Sequence, residues 1–352
     1  MEADKKIPKL LILLILLINL PAGAMAAEHG VIVQYHHVDT GTPPSTTISP
    51  DDFRRHLQYL HDNGFHVMAL DDMLAALRNR EQIPDRSIAI TFDDGYLSIY
   101  ENAFPLLVEF GFPFTLFVST QPIDDNQPGF MDWDQINEMV ASGALIANHM
   151  VDHPYMLEPI AGESDADRIQ RLRENLLAAE QRIAANTGQS HRILAYPYGE
   201  YDPAIRRMLE EEGFLGVAQN SGAVGFHSDF LAIPRYPLAG VYARLETARD
   251  KFASLAFRVG GRNPENPVTN SDSPAVQLEF LPGDYRFEQI SCFADGNPIN
   301  TTWLNQEQGL LSLQPEQAFT ARRWRYICTA PQPGSNRYFW YSVQWINPAR
   351  GE

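Results

Sequence analysis

The first two thirds of the chain alternate two kinds of apolar pattern. Short β-branched runs at 30–38, 65–68, 87–92, 114–118, 145–147, 193–196 and 215–218 read as buried strands. Between them, amphipathic stretches with a 3.6-residue period predict helices over 49–63, 71–79, 97–110, 133–142, 165–186 and 202–213. Two helix starts are signalled directly: Ser49 precedes Pro50, Asp51 and Asp52, and Ser164 stands three residues before Asp167. Strand and helix repeating in this way, with no internal sequence repeat, predict a parallel α/β barrel. A proline-bracketed strand over 232–238 gives Arg235 a definite direction. The texture changes after Phe257. Residues 258–274 are rich in Gly, Pro, Asn and Ser and read as a linker, and short runs at 276–280, 287–293, 310–313, 323–329 and 338–346 predict a small all-β sandwich over 275–352. In its last run Phe339, Tyr341, Val343 and Trp345 alternate as a core face, leaving Tyr338 and Trp340 for interdomain contact or for stacking on sugar rings.

The strand 87–92 ends in Asp93-Asp94-Gly95. Where a strand gives way to a turn, two neighbouring carboxylates can aim into one pocket, and like charges that close are costly unless a cation intervenes. A divalent metal resolves the conflict by taking one carboxylate as ligand and leaving the other as a base. The alternative is an ordinary surface turn. The spacing of His149 and His153 suits two imidazoles on one ion, and two His with one Asp leave a coordination position open for water, as in a catalytic site.

The segments 91–95, 149–153 and 195–199 together resemble the first three motifs of the polysaccharide deacetylases, a family of metal-dependent carbohydrate esterases, in the family's order. The resemblance covers roughly residues 30–255. It implies a distorted (β/α)7-type barrel over 28–257, with a divalent ion, expected to be zinc, held by Asp94, His149 and His153. Asp93 is then the base activating a metal-bound water, and the backbone N–H of Tyr198 receives the oxyanion. Tyr35-His36-His37 looks like the N-terminal histidine segment of the branch acting on poly-N-acetylglucosamine, which implies His36 as general acid and His37 as the lesser candidate. Tyr198, Pro197, Arg235 and Trp133 form the expected substrate-binding set. Two departures stand out. Ala195 occupies a position where the family often has an arginine that orients the catalytic Asp, a role Arg235 could fill from another strand; Met150 replaces a usual Ser or Thr.

Composition adds compartment and partner. Lys5, Lys6 and Lys9, the apolar run 10–18 and the small residues of 21–26 read as a secretory signal over 1–27, too short for a comfortable membrane span. An uncleaved signal is the one expected route to a membrane. Export, to the periplasm or the medium, would let the only two cysteines, Cys292 and Cys328, form a disulfide, the alternative being two buried thiols. The formal net charge of -17 argues against nucleic acid and anionic membranes as partners and suits a neutral N-acetylglucosamine polymer. The leading expectation is therefore an exported polysaccharide de-N-acetylase. The alternatives are a peptidoglycan or chitin-oligosaccharide deacetylase and a non-catalytic polysaccharide-binding protein.

Overall fold

A computed structural model describes residues 26–261 and 263–351; of the expected signal over 1–27, residues 1–25 lie outside them. Six parallel strands form the main sheet in chain order: β1 (His29–Tyr35), β2 (Ser87–Phe92), β3 (Phe114–Val118), β4 (Leu145–Asn148), β5 (Ile193–Ala195) and β6 (Leu215–Val217). The seven main helices are α1 (Pro50–Asp62), α2 (Leu70–Arg78), α3 (Phe104–Phe110), α4 (Trp133–Ala141), α5 (Asp165–Thr187), α6 (Pro203–Glu211) and α7 (Leu245–Phe252). Ser49 caps α1 through the Asp52 N–H, and Ser164 with Asp167 forms a capping box on α5, as the local sequence predicts. The stretch 233–237 bridges the two edges of the sheet. Ile233 pairs with Val217 at the β6 edge, while Tyr236 and Pro237 pair in parallel with Val33 and Gln34 of β1, so the sheet curls on itself.

Side-chain parity explains both faces. Val31, Val33 and Tyr35 of β1 and Ile88, Ile90 and Phe92 of β2 pack in one core with α1, α3, α4 and α7. The alternate positions, Ile32, Ala89, Phe117, Ala147, Ala195, Val217 and Ile233, form a second core inside the curl, closed by Leu70, Met73, Leu74 and Leu77 of α2. Followed toward the carboxyl ends of the strands, the same inward parity passes from Ile32 to Gln34 and His36, from Ala89 to Thr91 and Asp93, from Ala147 to His149, and from Ile233 to Arg235. The interior is apolar at one end and polar at the other.

Residues 255–346 form two facing sheets over a separate apolar core. One is ordered Leu255–Ala256, Tyr338–Ile346, Arg323–Pro331, Ser291–Ala294 and Asn297–Pro298; the other Val259–Gly260, Val276–Phe280, Leu310–Leu313 and Thr301–Asn305. Cys292 and Cys328 face each other in register and are joined by a disulfide. The expected linker over 258–274 is corrected: Val259–Gly260 is a strand of the sandwich, and Pro267 and Thr269 bond to Ile346, because the Gly- and Pro-rich residues make an edge rather than a tether. The expected strand over 287–293 is divided into a 3-10 turn at Phe287–Gln289 and the strand Ser291–Ala294. Phe339, Val343 and Trp345 are buried as the alternation predicts, and Trp340 packs edge-on against Tyr236 of the barrel.

Candidate active site

The polar end of the curl gathers the predicted residues. Asp93 continues the inward face of β2 and is fully buried; Asp94 joins it only because the chain turns there, with φ of 74° at Asp94 and 90° at Gly95. A left-handed conformation at a non-glycine residue costs free energy and survives where neighbours enforce it. Met150, His153 and Tyr198 also have positive φ, at 68°, 52° and 58°, so the site loops hold four such bends. The two histidines come from the loop after β4 rather than from a helix, and their ring centroids lie 4.6 Å apart.

Asp94 Oδ1 lies 3.1 Å from His149 Nε2 and 3.5 Å from His153 Nε2, and the three donor atoms all fall within 4.8 Å of one another. His149 is wholly buried and its Nδ1 contacts the Ala195 carbonyl at 2.7 Å. A carbonyl only accepts, so Nδ1 carries the proton, and Nε2, which has no hydrogen-bond partner, is left facing Asp94. A lone pair and a carboxylate that close need a proton or a metal ion between them, and the second imidazole of His153 on the same carboxylate oxygen favours the metal. The donor set therefore fits a divalent metal, with two imidazoles and one carboxylate as ligands. Electrostatics point the same way. Burial opposes charge on Asp94, but His149, with the charges of His36 and His153, holds its carboxyl well below the usual range. Burial likewise opposes charge on His149 but loses to Asp94 and Asp93, which push its basicity up, while burial and then the charge of His149 push His153 down to about 4.

Asp93 is held by three side-chain hydrogen bonds from two residues. Arg235, itself fully buried, donates from Nη1 to Oδ1 at 2.7 Å and from Nη2 to Oδ2 at 2.8 Å, and Gln34 Nε2 donates to Oδ2 at 2.5 Å. Arg235 is fixed in turn by the Ala218 carbonyl, Thr91 Oγ1 and the face of Phe117. Burial opposes charge on Asp93 and would push its pKa up, but the Arg235 guanidinium keeps the carboxyl below the ordinary range. The guanidinium on Asp93 thus comes from the bridging stretch, while Ala195 offers none. His36 and His37 separate by parity: His36 Nε2 points inward, 4.0 Å from Asp93 Oδ2, whereas the His37 ring stacks on Tyr96 at 3.7 Å with Nδ1 3.4 Å from Ser98 Oγ.

The remaining expected residues fall in two places. Pro197 and Tyr198 belong to the turn after β5, with the Tyr198 ring stacked flat on Tyr155 at 3.9 Å and edge-on to His153 at 4.4 Å. Trp133 starts α4, and its described polar contacts are with Asp124 and Arg182, not with the metal-binding set. Sequence reading missed Gln34 and Asn148. Asn148 Oδ1 accepts the Met150 N–H at 2.8 Å and supports the histidine loop in place of the absent hydroxyl at Met150. Inward parity from Ile32 and Ala147 could have found Gln34 and favoured His36 over His37; no spacing points to Asn148.

Comparison with known proteins follows this geometry. Residues 80–217 match the family described as polysaccharide deacetylase. The Bacillus subtilis (strain 168) protein YxkH, whose name places it provisionally among polysaccharide deacetylases, is 27% identical over 207 residues, 58% of this chain and 69% of that one. The poly-beta-1,6-N-acetyl-D-glucosamine N-deacetylase of Escherichia coli (strain K12) is 21% identical over 270 residues, 67% of this chain and 39% of that protein, so the match spans well under half the length of that relative. Among solved structures, IcaB from Ammonifex degensii superposes with a TM-score of 0.57 at 26% identity, covering 65% of this chain and 98% of its own.

Proposed function

We propose that this chain, which belongs to the polysaccharide deacetylase family through residues 80–217, hydrolyses the N-acetyl groups of a poly-N-acetylglucosamine polymer. The observation that carries the reading is the convergence of Asp94, His149 and His153 beside an Asp93 clamped by Arg235, with His36 on the inward face of the neighbouring strand. The poly-beta-1,6-N-acetyl-D-glucosamine specificity named for the Escherichia coli relative, and for one from Staphylococcus epidermidis, supports this substrate over peptidoglycan or chitin fragments.

Asp94, His149 and His153 would hold the ion, with zinc the expected one. When bound, such an ion polarises a carbonyl and makes water available as a nucleophile near neutral pH. Asp93, oriented by Arg235 and Gln34, takes the proton of the attacking water. The Tyr198 N–H, in the turn fixed by Gly199, stabilises the negative oxygen of the tetrahedral intermediate. His36 Nε2 gives a proton to the departing amine, so that acetate and a free glucosamine unit result; this step is typically worth about 100- to 10,000-fold in rate. Tyr198 and Pro197 would line the sugar site, Arg235 would act through Asp93, and Trp133 would be at most an outlying sugar contact. Export to the periplasm or medium is part of the proposal, supported by the signal pattern over 1–27 and by the Cys292–Cys328 disulfide.

The test is amine release from partly acetylated poly-N-acetylglucosamine by the full chain, before and after chelation, with Asp94→Ala as control. Release that chelation abolishes, zinc restores and Asp94→Ala lacks is the expected result. No release from this polymer, with release from peptidoglycan or chitin oligomers, would move the substrate; no release from any acetylated glycan would leave a polysaccharide-binding protein as the better account.

A further inference from the structure

The sandwich reaches the active site. Glu200, directly after the Pro197–Gly199 turn, is completely buried and receives two bonds from Arg322, at 2.6 and 2.9 Å, and one from Arg323 at 2.7 Å. Gln344 Nε2 donates to the Gly199 carbonyl at 2.7 Å, and Arg325 Nη1 to the Gln219 carbonyl at 3.2 Å. Gly199 has a φ of 70°, and a Cβ there would lie 2.9 Å from the Gln219 side chain, so the turn is packed tightly against the very segment that Arg325 holds. The arginines also cover the aromatic pair beside the metal-binding set: Arg322 lies 4.8 Å over the Tyr155 ring and Arg323 5.6 Å over Tyr198, whose edge contact is His153.

We propose that the C-terminal sandwich is a working part of the active site, in which Arg322, Arg323 and Gln344 are positioning residues that hold the Pro197–Glu200 turn and, through Tyr198, the His153 ring. This rests on the functional reading above for the role of the Tyr198 N–H, but its contact with His153 does not. The physics is that of an outer shell. A left-handed Tyr198 is not self-supporting: Gln344 holds the carbonyl of Gly199 and the two arginines hold the carboxylate of Glu200, the residues that follow it, while Arg323 covers its ring. The IcaB match accounts for nearly all of that chain and only 65% of this one, so about a third of this molecule, enough to contain the sandwich, has no counterpart in it. The sandwich is then a scaffold for the catalytic turn rather than a separable sugar-binding module.

The test uses the full chain with Arg323→Ala, Gln344→Ala and Arg323→Lys. Arg322 is buried against Glu200, so its alanine variant risks the fold; the more accessible Arg323 carries the experiment, with the uncharged Gln344, itself buried, as a second variant. Zinc affinity is measured by competition with a chromophoric chelator, kcat and KM on an acetylated glucosamine oligomer, and Tm by calorimetry. Arg323→Ala is expected to weaken zinc binding and to lower kcat, each on the order of 10-fold, as loss of an outer-shell partner does. KM and Tm should change little, and Arg323→Lys, which keeps the charge beside Glu200, should recover most of both losses. Zinc affinity and kcat that stay within about twofold of the parent in both alanine variants, whatever Tm does, would overturn the proposal. A parent that deacetylates while neither quantity moves sinks the clamp alone. An inactive parent whose zinc affinity still falls on Arg323→Ala sinks the deacetylase reading alone.

Discussion

Arg235 carries the largest single burden in the barrel. It is a fully buried guanidinium matched bidentately to a fully buried carboxylate, and it lies 142 residues away from Asp93 in sequence. Removing one member of such a pair leaves the other charged and unpartnered in a medium that solvates it poorly, typically at a cost of about 3–5 kcal/mol. Arg235→Ala should therefore lose stability of that order in urea unfolding and, because Asp93 loses its orientation, at least about 100-fold in kcat/KM. Arg235→Lys should recover part of the stability but little of the rate, since an ammonium cannot reproduce the planar fork. Full turnover by Arg235→Ala would refute the orienting role. The residues readable in sequence were those whose relation is local: Asp93 beside Asp94, and His149 four from His153. Arg235 was readable only as a candidate, because a bracketed strand fixes a direction but not its target. Glu200 and Arg322 were not readable at all, since 122 positions separate them.

At the level of elements, the buried histidine of α1 makes the clearest pH prediction. His56 sits on the buried face of the helix, fully inaccessible, with its Nδ1 2.9 Å from the Tyr35 hydroxyl and its ring edge-on to Phe252. Burial pushes its pKa down to about 4, outweighing the Ala243 carbonyl and the charge of Asp52, which pull the other way. The folded value lies below the ordinary 6.5, so the unfolded chain binds the proton more tightly. The stability tied to neutral His56 is accordingly complete above about pH 6.5 and is lost as pH falls toward 4, with an upper limit of roughly 3 kcal/mol. Denaturant midpoints at pH 7 and 4.5 measure this, and His56→Leu should flatten the difference; an unchanged slope in that variant would assign the acid sensitivity elsewhere. The helix itself was plain in the sequence from its cap and period. One element that was not plain shows why: Thr301–Asn305 has no buried alternation, being largely exposed. A pattern that depends on burial cannot announce an element that has little of it.

Across the whole molecule, the two cores are locked by charge as well as by apolar contact. Besides Arg322 and Arg323 on Glu200, Arg337 of the sandwich donates to both oxygens of Asp85 at 2.8 and 3.0 Å and to the Ala253 carbonyl at 2.8 Å. Ser342 bonds to the Ser221 carbonyl and Trp340 Nε1 to Ser221 Oγ. The chain enters the sandwich without a spacer: α7 ends at Phe252 and Leu255 is already paired with Phe339. Domains joined by a flexible tether and a small polar interface unfold separately, whereas ion pairs at both ends of an interface, here buried at Glu200 and partly exposed at Asp85, couple the two melts. The full chain should therefore show one calorimetric transition with matching calorimetric and van't Hoff enthalpies. Arg322→Ala strips Glu200 of its bidentate partner inside the interface, which should cost about 3–5 kcal/mol and broaden or split that transition. Two resolved transitions in the parent protein would mean that the barrel stands alone. In that event the clamp on Tyr198 could persist only as a contact between independently stable units, and the Arg323 variants would move zinc affinity without any change in cooperativity.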